Sequence, residues 1–417
     1  MAERVIVVGA GVAGLTAARL LSEAGMDVLV LEARDRVGGR VWTSRLADAT
    51  VELGAQWIHG PHGNPLTDHI SHVGLPLRSD GSWGMGTAVW WRGGWADAAL
   101  ASWANPCDWS AEQALAHVSD DRFSTGVGWY LEDRALEGEV AAVVDFALSQ
   151  VHAPLFVGGP PDRVSLTGSA AYRTGEGGNA YLPGGYRLLV EGLASGIEIS
   201  MSEEVLSVEE TDREVMVATS AATHRADRVV VAVPLPVLDR IEFDPPLPAR
   251  HAEALTRIAM GTVEKVVLVF ADRFWPHHAR RFLLGGSPFP VWVDTTAQAG
   301  RPTLCGFFNV VTADLVTASL SDRIGRALDA LGEAFGRAPE PVAAVATEWL
   351  DDPYAGGSYS YLPVGSTPEE MEILGTPVSP RLVLAGEHTV VEYHGTVHGA
   401  YVSGRRAAGR LLAEISS

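Results

Sequence analysis

The sequence predicts an α/β fold built around a Rossmann-like nucleotide-binding sheet, and three observations carry that prediction. First, Val5-Ile6-Val7-Val8-Gly9-Ala10-Gly11-Val12-Ala13-Gly14 sets a buried, β-branched strand directly before a G-x-G-x-x-G turn. Second, a helix over 12 to about 24, ended by Gly25, leads into Val28-Leu29-Val30-Leu31, an apolar strand closed by Glu32. Third, a chain of 417 residues exceeds one small core, so two domains are expected. Within the turn, Gly9 permits the tight bend, Gly11 lets the backbone approach a pyrophosphate, and Gly14 lets the helix pack closely on the strand. The helix N-terminus, worth roughly half a positive charge, faces the phosphates. Glu32, eighteen residues beyond Gly14 (32 − 14), is placed to accept the ribose hydroxyls of an adenosine.

Bulk composition narrows the function. Hydrophobic residues at 47% and charged residues at 20% describe an ordinary globular protein. The two cysteines, Cys107 and Cys305, form neither a C-x-x-C pair nor a disulfide framework. A net charge of −20 disfavours nucleic acid as a partner; it either attracts cationic substrates or only keeps an acidic surface soluble. The first strand begins at Val5, which leaves no room for a signal peptide, and no uninterrupted apolar run reaches eighteen residues. A cytoplasmic protein without a membrane partner is therefore expected, and its oligomeric state is unreadable.

The stretch after Glu32 decides which dinucleotide. Arg34-Asp35-Arg36-Val37-Gly38-Gly39-Arg40 is either a basic surface turn or a second loop crossing the pyrophosphate, with Arg34 and Arg40 as charge partners. Here the chain resembles the flavin-containing amine oxidase family of monoamine and polyamine oxidases, in which such a glycine-arginine motif contacts FAD. Three further matches extend the resemblance: Glu52-Leu53-Gly54-Ala55-Gln56-Trp57-Ile58-His59-Gly60, Met260-Gly261-Thr262-Val263-Glu264-Lys265, and Ala385-Gly386-Glu387-His388-Thr389 followed by Gly395-Thr396-Val397-His398-Gly399-Ala400-Tyr401. They keep the family's order, whereas residues 80 to 180 match loosely.

The resemblance implies an FAD-binding domain of the glutathione-reductase and amine-oxidase type, made of 1–78, 180–254 and 349–417. An α+β substrate-binding domain of 79–179 and 255–348 is interleaved with it. A helix over 187–194, strands near 197–201, 205–208 and 215–218, and the buried strands 228–233 and 381–385 fit that layout. By the same resemblance Gly39, Gly54, Ala55, Gln56, Trp57 and Trp349 join the cofactor-binding set, and Val205 meets the adenine through its backbone. Gly386 and Glu387 reach the ribityl chain, although an acid after a strand also serves as a helix cap. The helix beginning at Thr396 and Val397 presents N–H groups to the pyrimidine carbonyl.

Lys265 lies in the apolar run 263–270, either snorkelling from an edge or buried with a task. The resemblance implies that it holds a water against the flavin. His59 is expected to face the substrate channel. Tyr359 matches one wall of an aromatic cage, and Thr396 stands where monoamine oxidases place the other, which makes room for a longer amine and favours polyamine oxidases. Ser358 occupies the place of the cysteine that tethers the flavin in mitochondrial monoamine oxidases, so noncovalent FAD is expected. Glu176 is a candidate polyamine-binding acid by position alone. Tryptophans 83, 90, 91, 95, 103 and 109 are read mostly as packing, with one or two at the entrance. The histidine spacings at 62, 388, 394 and 398 fit no zinc pattern, so no metal is expected.

The implied reaction is hydride transfer from the carbon beside a neutral amine to the flavin, giving an imine, with O2 reduced to hydrogen peroxide. An L-amino-acid oxidase would want an arginine fork where Gln56 and Trp57 stand. A histone demethylase would want a long helical insertion and a basic recognition surface, neither of which appears. A flavin-binding scaffold without catalysis is the remaining alternative.

Overall fold

A computed structural model describes residues 2–81, 86–173, 175–309 and 313–415. Its first sheet has five parallel strands in the order Glu198–Ser200, Asp27–Leu31, Arg4–Val8, Arg228–Val231 and Leu382–Leu384. Strand period two divides the side chains between two cores. Val5, Val7, Val28, Val30, Val230 and Val383 pack against the helices Val12–Glu23, Arg187–Ala194 and Val397–Ile415. Ile6, Val8, Leu29, Leu31, Val229 and Val231 face the opposite way, toward Val208, Val215, Val217 and Met371. A parallel sheet covered on both sides explains why its strands read as continuous apolar runs.

Gly14 shows why the helix after the first strand tolerates no side chain there. A Cβ would lie 2.0 Å from the Gly9 carbonyl oxygen and 3.2 Å from Val7 Cγ1. Gly404 performs the same service where the last helix crosses the first, since its Cβ would meet the Ala13 carbonyl oxygen at 2.3 Å.

The second large sheet has seven strands in the order Ala343–Ala346, Glu264–Val269, Thr303–Phe308, Val291–Asp294, Arg281–Leu284, Thr87–Trp91 and Gly94–Trp95. Glu264–Val269 is paired on both sides and fully buried, so Lys265 is not at an edge and does not snorkel. A three-stranded sheet places Ile58–His59 beside Asn179–Tyr181 and sets His59 opposite Asn179.

Residues 98–171 are mostly helical. One helical stretch, Gly138–Val157, is long and apolar enough to cross a membrane by length and composition. Here Phe146, Ala147 and Val151 from it pack with Val263 and Val267 of the large sheet. Among the tryptophans of the cluster, Trp90 and Trp95 pack edge to face, Trp95 also meets Phe282 and Phe335, and Trp109 meets Phe123 and Tyr130. Trp103 is partly exposed, and Trp83 lies outside the described residues.

Candidate active site

One long cleft collects nearly all the residues singled out from the sequence. At its first end lie Gly9, Gly11, Glu32, Arg34, Gly39, Arg40 and Val205. Gly11 caps the first helix in an extended conformation, with no side chain capping it and no acid in the first turn. The free N–H groups of such a helix start form an anion site. The second glycine loop clasps the first: Gly38 N donates to the Ala10 carbonyl at 2.8 Å, and a Cβ on Gly39 would lie 3.6 Å from Gly11 Cα. Gly14 is absent from the cleft lining; it lies against the Gly9 carbonyl, where the helix packs on the strand.

The charged residues of this end are already partnered. The Glu32 carboxylate accepts from Ala10 N at 2.7 Å and Arg34 N at 2.9 Å, so it braces both turns. Arg34 pairs with Asp352 at 2.5 Å and lies over the Tyr354 ring. Arg40 pairs with Glu387 at 2.9 Å and donates to the Ser358 carbonyl at 3.0 Å. Both arginines thus have an acid of this chain as a partner.

Gly386 and Glu387 stand at the middle of the cleft with Gly54, Ala55, Gln56, Trp57 and Trp349. The Glu387 carboxylate also accepts from Ser360 N at 3.2 Å, Ser360 Oγ at 2.5 Å and Gly395 N at 2.7 Å. Burial pushes its pKa up, but the Arg40 guanidinium, His388 and these hydrogen bonds outweigh that and hold it at about 2. Ser358 Oγ accepts from Val263 N at 3.1 Å. Lys265 Nζ donates to Glu52 O at 3.0 Å, Gly54 O at 2.7 Å and Gln56 Oε1 at 3.0 Å. Those three acceptors match the three hydrogens of an ammonium. Burial lowers the lysine pKa, while Cys305 and Glu52 pull it up.

The far end is walled by rings. Trp57 stacks on Phe307 with centroids 6.0 Å apart, and His59 sits 6.4 Å from both Trp57 and Phe156. Tyr359 OH donates to the Leu155 carbonyl at 2.5 Å, and Tyr172 packs on His394. His59 Nδ1 is 2.7 Å from Asn179 Oδ1, which makes it the donor and leaves Nε2 an acceptor. Burial keeps that imidazole below its ordinary pKa against the pull of Asn179. Thr396 and Val397 open the last helix into this end; Thr396 Oγ accepts from Gly399 N and donates to the Tyr393 carbonyl.

Leu155, Phe156, Tyr172 and His394 line the site without having been singled out for it, and Phe307 was missed outright. Three of them come from the weakly patterned middle region, where only an apolar run marks Leu155 and Phe156. None of the described members of the tryptophan cluster lines the cleft, and Trp83 lies outside the described residues. Glu176 is exposed and meets His62 through a backbone bridge, outside the lining. Among the described residues no group of three metal-binding side chains is assembled.

A family model described as flavin containing amine oxidoreductase matches residues 12–123 and 132–412. Among curated relatives, lysine-specific histone demethylase 1 homolog 1 of Arabidopsis thaliana is 31% identical over 98% of this chain and 52% of its own length. Polyamine oxidase 3 of Oryza sativa subsp. japonica is 30% identical over 97% of this chain and 88% of its own. The chain spans about half the length of the demethylase relatives it matches. Among solved structures, a putrescine oxidase mutant from a redesign of cofactor binding superposes with a TM-score of 0.83 at 22% identity, covering 99% of each chain. Wild-type putrescine oxidase bound to putrescine gives 0.81, also at 22% and 99% of each. At that identity the likeness shows the fold.

Proposed function

The chain belongs to the flavin-containing amine oxidoreductases, and from that premise we propose that it is an amine oxidase that binds FAD without a covalent bond and oxidises an amine bearing a single nitrogen on an apolar body. The product is an imine that water hydrolyses, and O2 becomes hydrogen peroxide. The residues present fit a flavin dinucleotide: two helix starts, at Gly11 and Thr396, open into one cleft, with clasped glycine loops at one end and rings at the other. Bound FAD supplies the acceptor for the hydrogen and electrons lost beside the amine nitrogen.

This chain's residues prepare the amine. The unprotonated Nε2 of neutral His59 is suited to accept a hydrogen bond from an entering amine, since its partner nitrogen is committed to Asn179. Tyr359, Tyr172, Phe156, Phe307 and Trp57 exclude water and hold the substrate body. The start of the last helix adds partial positive charge at Val397, where negative charge is favoured.

The observation that carries the substrate choice is charge placement. The acids lining the cleft are Glu32, Glu203, Glu204 and Glu387; at the rings, Glu387 is paired with Arg40, and Asp80, which accepts from Trp57 Nε1 at 2.8 Å, is paired with Arg280, so neither is a free counter-charge. A short diamine would bring its second ammonium to the rings without a free counter-charge, which is costly. The lining arginines, Arg34 and Arg40, are committed to Asp352 and Glu387, so a substrate carboxylate finds no free fork there. Polyamines, which the motifs favoured, would enter only with their distal nitrogens beyond the rings.

Anaerobic bleaching of the flavin tests this. Arylalkyl monoamines should exceed putrescine at least tenfold in kcat/KM for reduction, about 1.4 kcal/mol in transition-state binding. Equal or faster bleaching by putrescine or amino acids would refute the substrate choice. Ser358 carries a second expectation: acid precipitation should release the yellow colour into the supernatant, and colour retained in the washed pellet would contradict noncovalent binding.

A further inference from the structure

The strand Arg78–Gly81 belongs to the small sheet that carries His59, and it is bulged. Against the middle strand Asn179–Tyr181, Ser79 sits opposite Ala180 and Gly81 opposite Asn179, so Asp80 is the extra residue. Gly81 follows it at φ 76°, a left-handed conformation that costs glycine little. A bulge re-aims the side chain it carries. Here the Asp80 carboxylate turns inward, 7% exposed, and stands behind the cleft, outside its lining. It accepts from Trp57 Nε1 at 2.8 Å, and Arg280 pairs with it from the more exposed side. The third strand of this sheet, Ile58–His59, follows directly on Trp57. The Trp57 carbonyl accepts from Tyr186 OH at 3.0 Å, so the residue is held both by its backbone and by the edge of its indole. Its ring centroid lies 6.0 Å from that of Phe307, at an interplanar angle of 27°, and 6.4 Å from that of His59.

We propose that Asp80 is a positioning residue that sets the plane of the Trp57 indole and, through that plane, the fit of the substrate's apolar body against the cleft wall. Stacking on Phe307 tolerates offset and rotation of the ring, whereas an N–H donated to a fixed carboxylate is directional. The ion pair with Arg280 fixes the carboxylate in turn. Asp80 acts on the substrate only through Trp57, because Trp57 lines the cleft and Asp80 does not. A displaced indole costs each substrate in proportion to the apolar area laid against it, so amines with large apolar bodies lose most. This inference rests on the amine-oxidase reading above, and its test separates the two.

Flavin-loaded enzyme is mixed anaerobically with 2-phenylethylamine or with butylamine, and bleaching at increasing amine concentration gives an amine Kd and a limiting rate of reduction. Asp80→Ala should raise the phenylethylamine Kd at least tenfold and the butylamine Kd less than threefold. The limiting rate and the FAD Kd should stay within threefold of wild type. Asp80→Asn keeps an oxygen that accepts from the indole, and it should hold the phenylethylamine Kd within threefold of wild type. Trp57→Phe should match Asp80→Ala, and the double variant should bind phenylethylamine no more weakly than Trp57→Phe, because both changes remove one shared contact. A wild-type phenylethylamine Kd in Asp80→Ala, an equal loss for both amines, or losses that multiply in the double variant would each overturn the proposal. If Asp80→Ala does not fold, Arg280→Gln decides, since the Arg280 side chain is 38% exposed. That variant should raise the phenylethylamine Kd at least threefold, and an unchanged value overturns the proposal. A wild-type flavin that neither amine bleaches refutes the amine reading itself, and the role of Asp80 with it.

Discussion

Glu387→Gln should cost about 3 kcal/mol of stability at neutral pH and flatten the protein's acid denaturation. The carboxylate is buried and held at about 2 by Arg40 and its hydrogen bonds, against an ordinary value of 4.5. A folded pKa below the unfolded one means that the unfolded chain takes up the proton first. The contribution is therefore complete above pH 4.5 and drains away as the pH falls toward 2. A difference of about 2.5 units corresponds to roughly 3 kcal/mol. Glutamine cannot follow that titration, and it leaves Arg40 without its partner, an effect of comparable size. Urea unfolding between pH 3 and 7 measures both parts. An unchanged loss of stability toward acid in the variant would show that Glu387 does not govern it.

A pair of glycine substitutions should separate folding from cofactor binding. Gly14→Ala forces a methyl to within 2.0 Å of the Gly9 carbonyl oxygen, a backbone atom that no side-chain rotation can move aside. Relief requires the first helix to lift from the first strand, at a cost of about 3 kcal/mol or more. The apoprotein should lose thermal stability and FAD affinity together. At Gly11 a Cβ meets nothing within 4 Å, and the position lines the cleft. Gly11→Ala should leave the melting temperature of the apoprotein unchanged while raising the FAD Kd at least tenfold, because the methyl stands where the phosphates approach. Loss of stability in Gly11→Ala, or its absence in Gly14→Ala, would contradict this division of roles.

What the sequence determined by itself was local. Gly9, Gly11, Glu32 and Gly39 were legible because adjacent residues set the backbone of a turn, and a turn next to a buried strand has few chemical uses. The five-stranded sheet was legible for the same reason, since strands covered on both faces are unbroken runs of apolar residues. Lys265 was ambiguous because a lone lysine in an apolar strand reads alike at an edge and at the centre. Its acceptors lie 209 to 213 residues away, and only the pairing of its strand on both sides decided the matter. The Asn179 partner of His59 and the ring wall of Phe156, Tyr172 and Phe307 belonged to tertiary structure as well. Contacts of that kind depend on which strands become neighbours and in what register, and no short window of sequence encodes either.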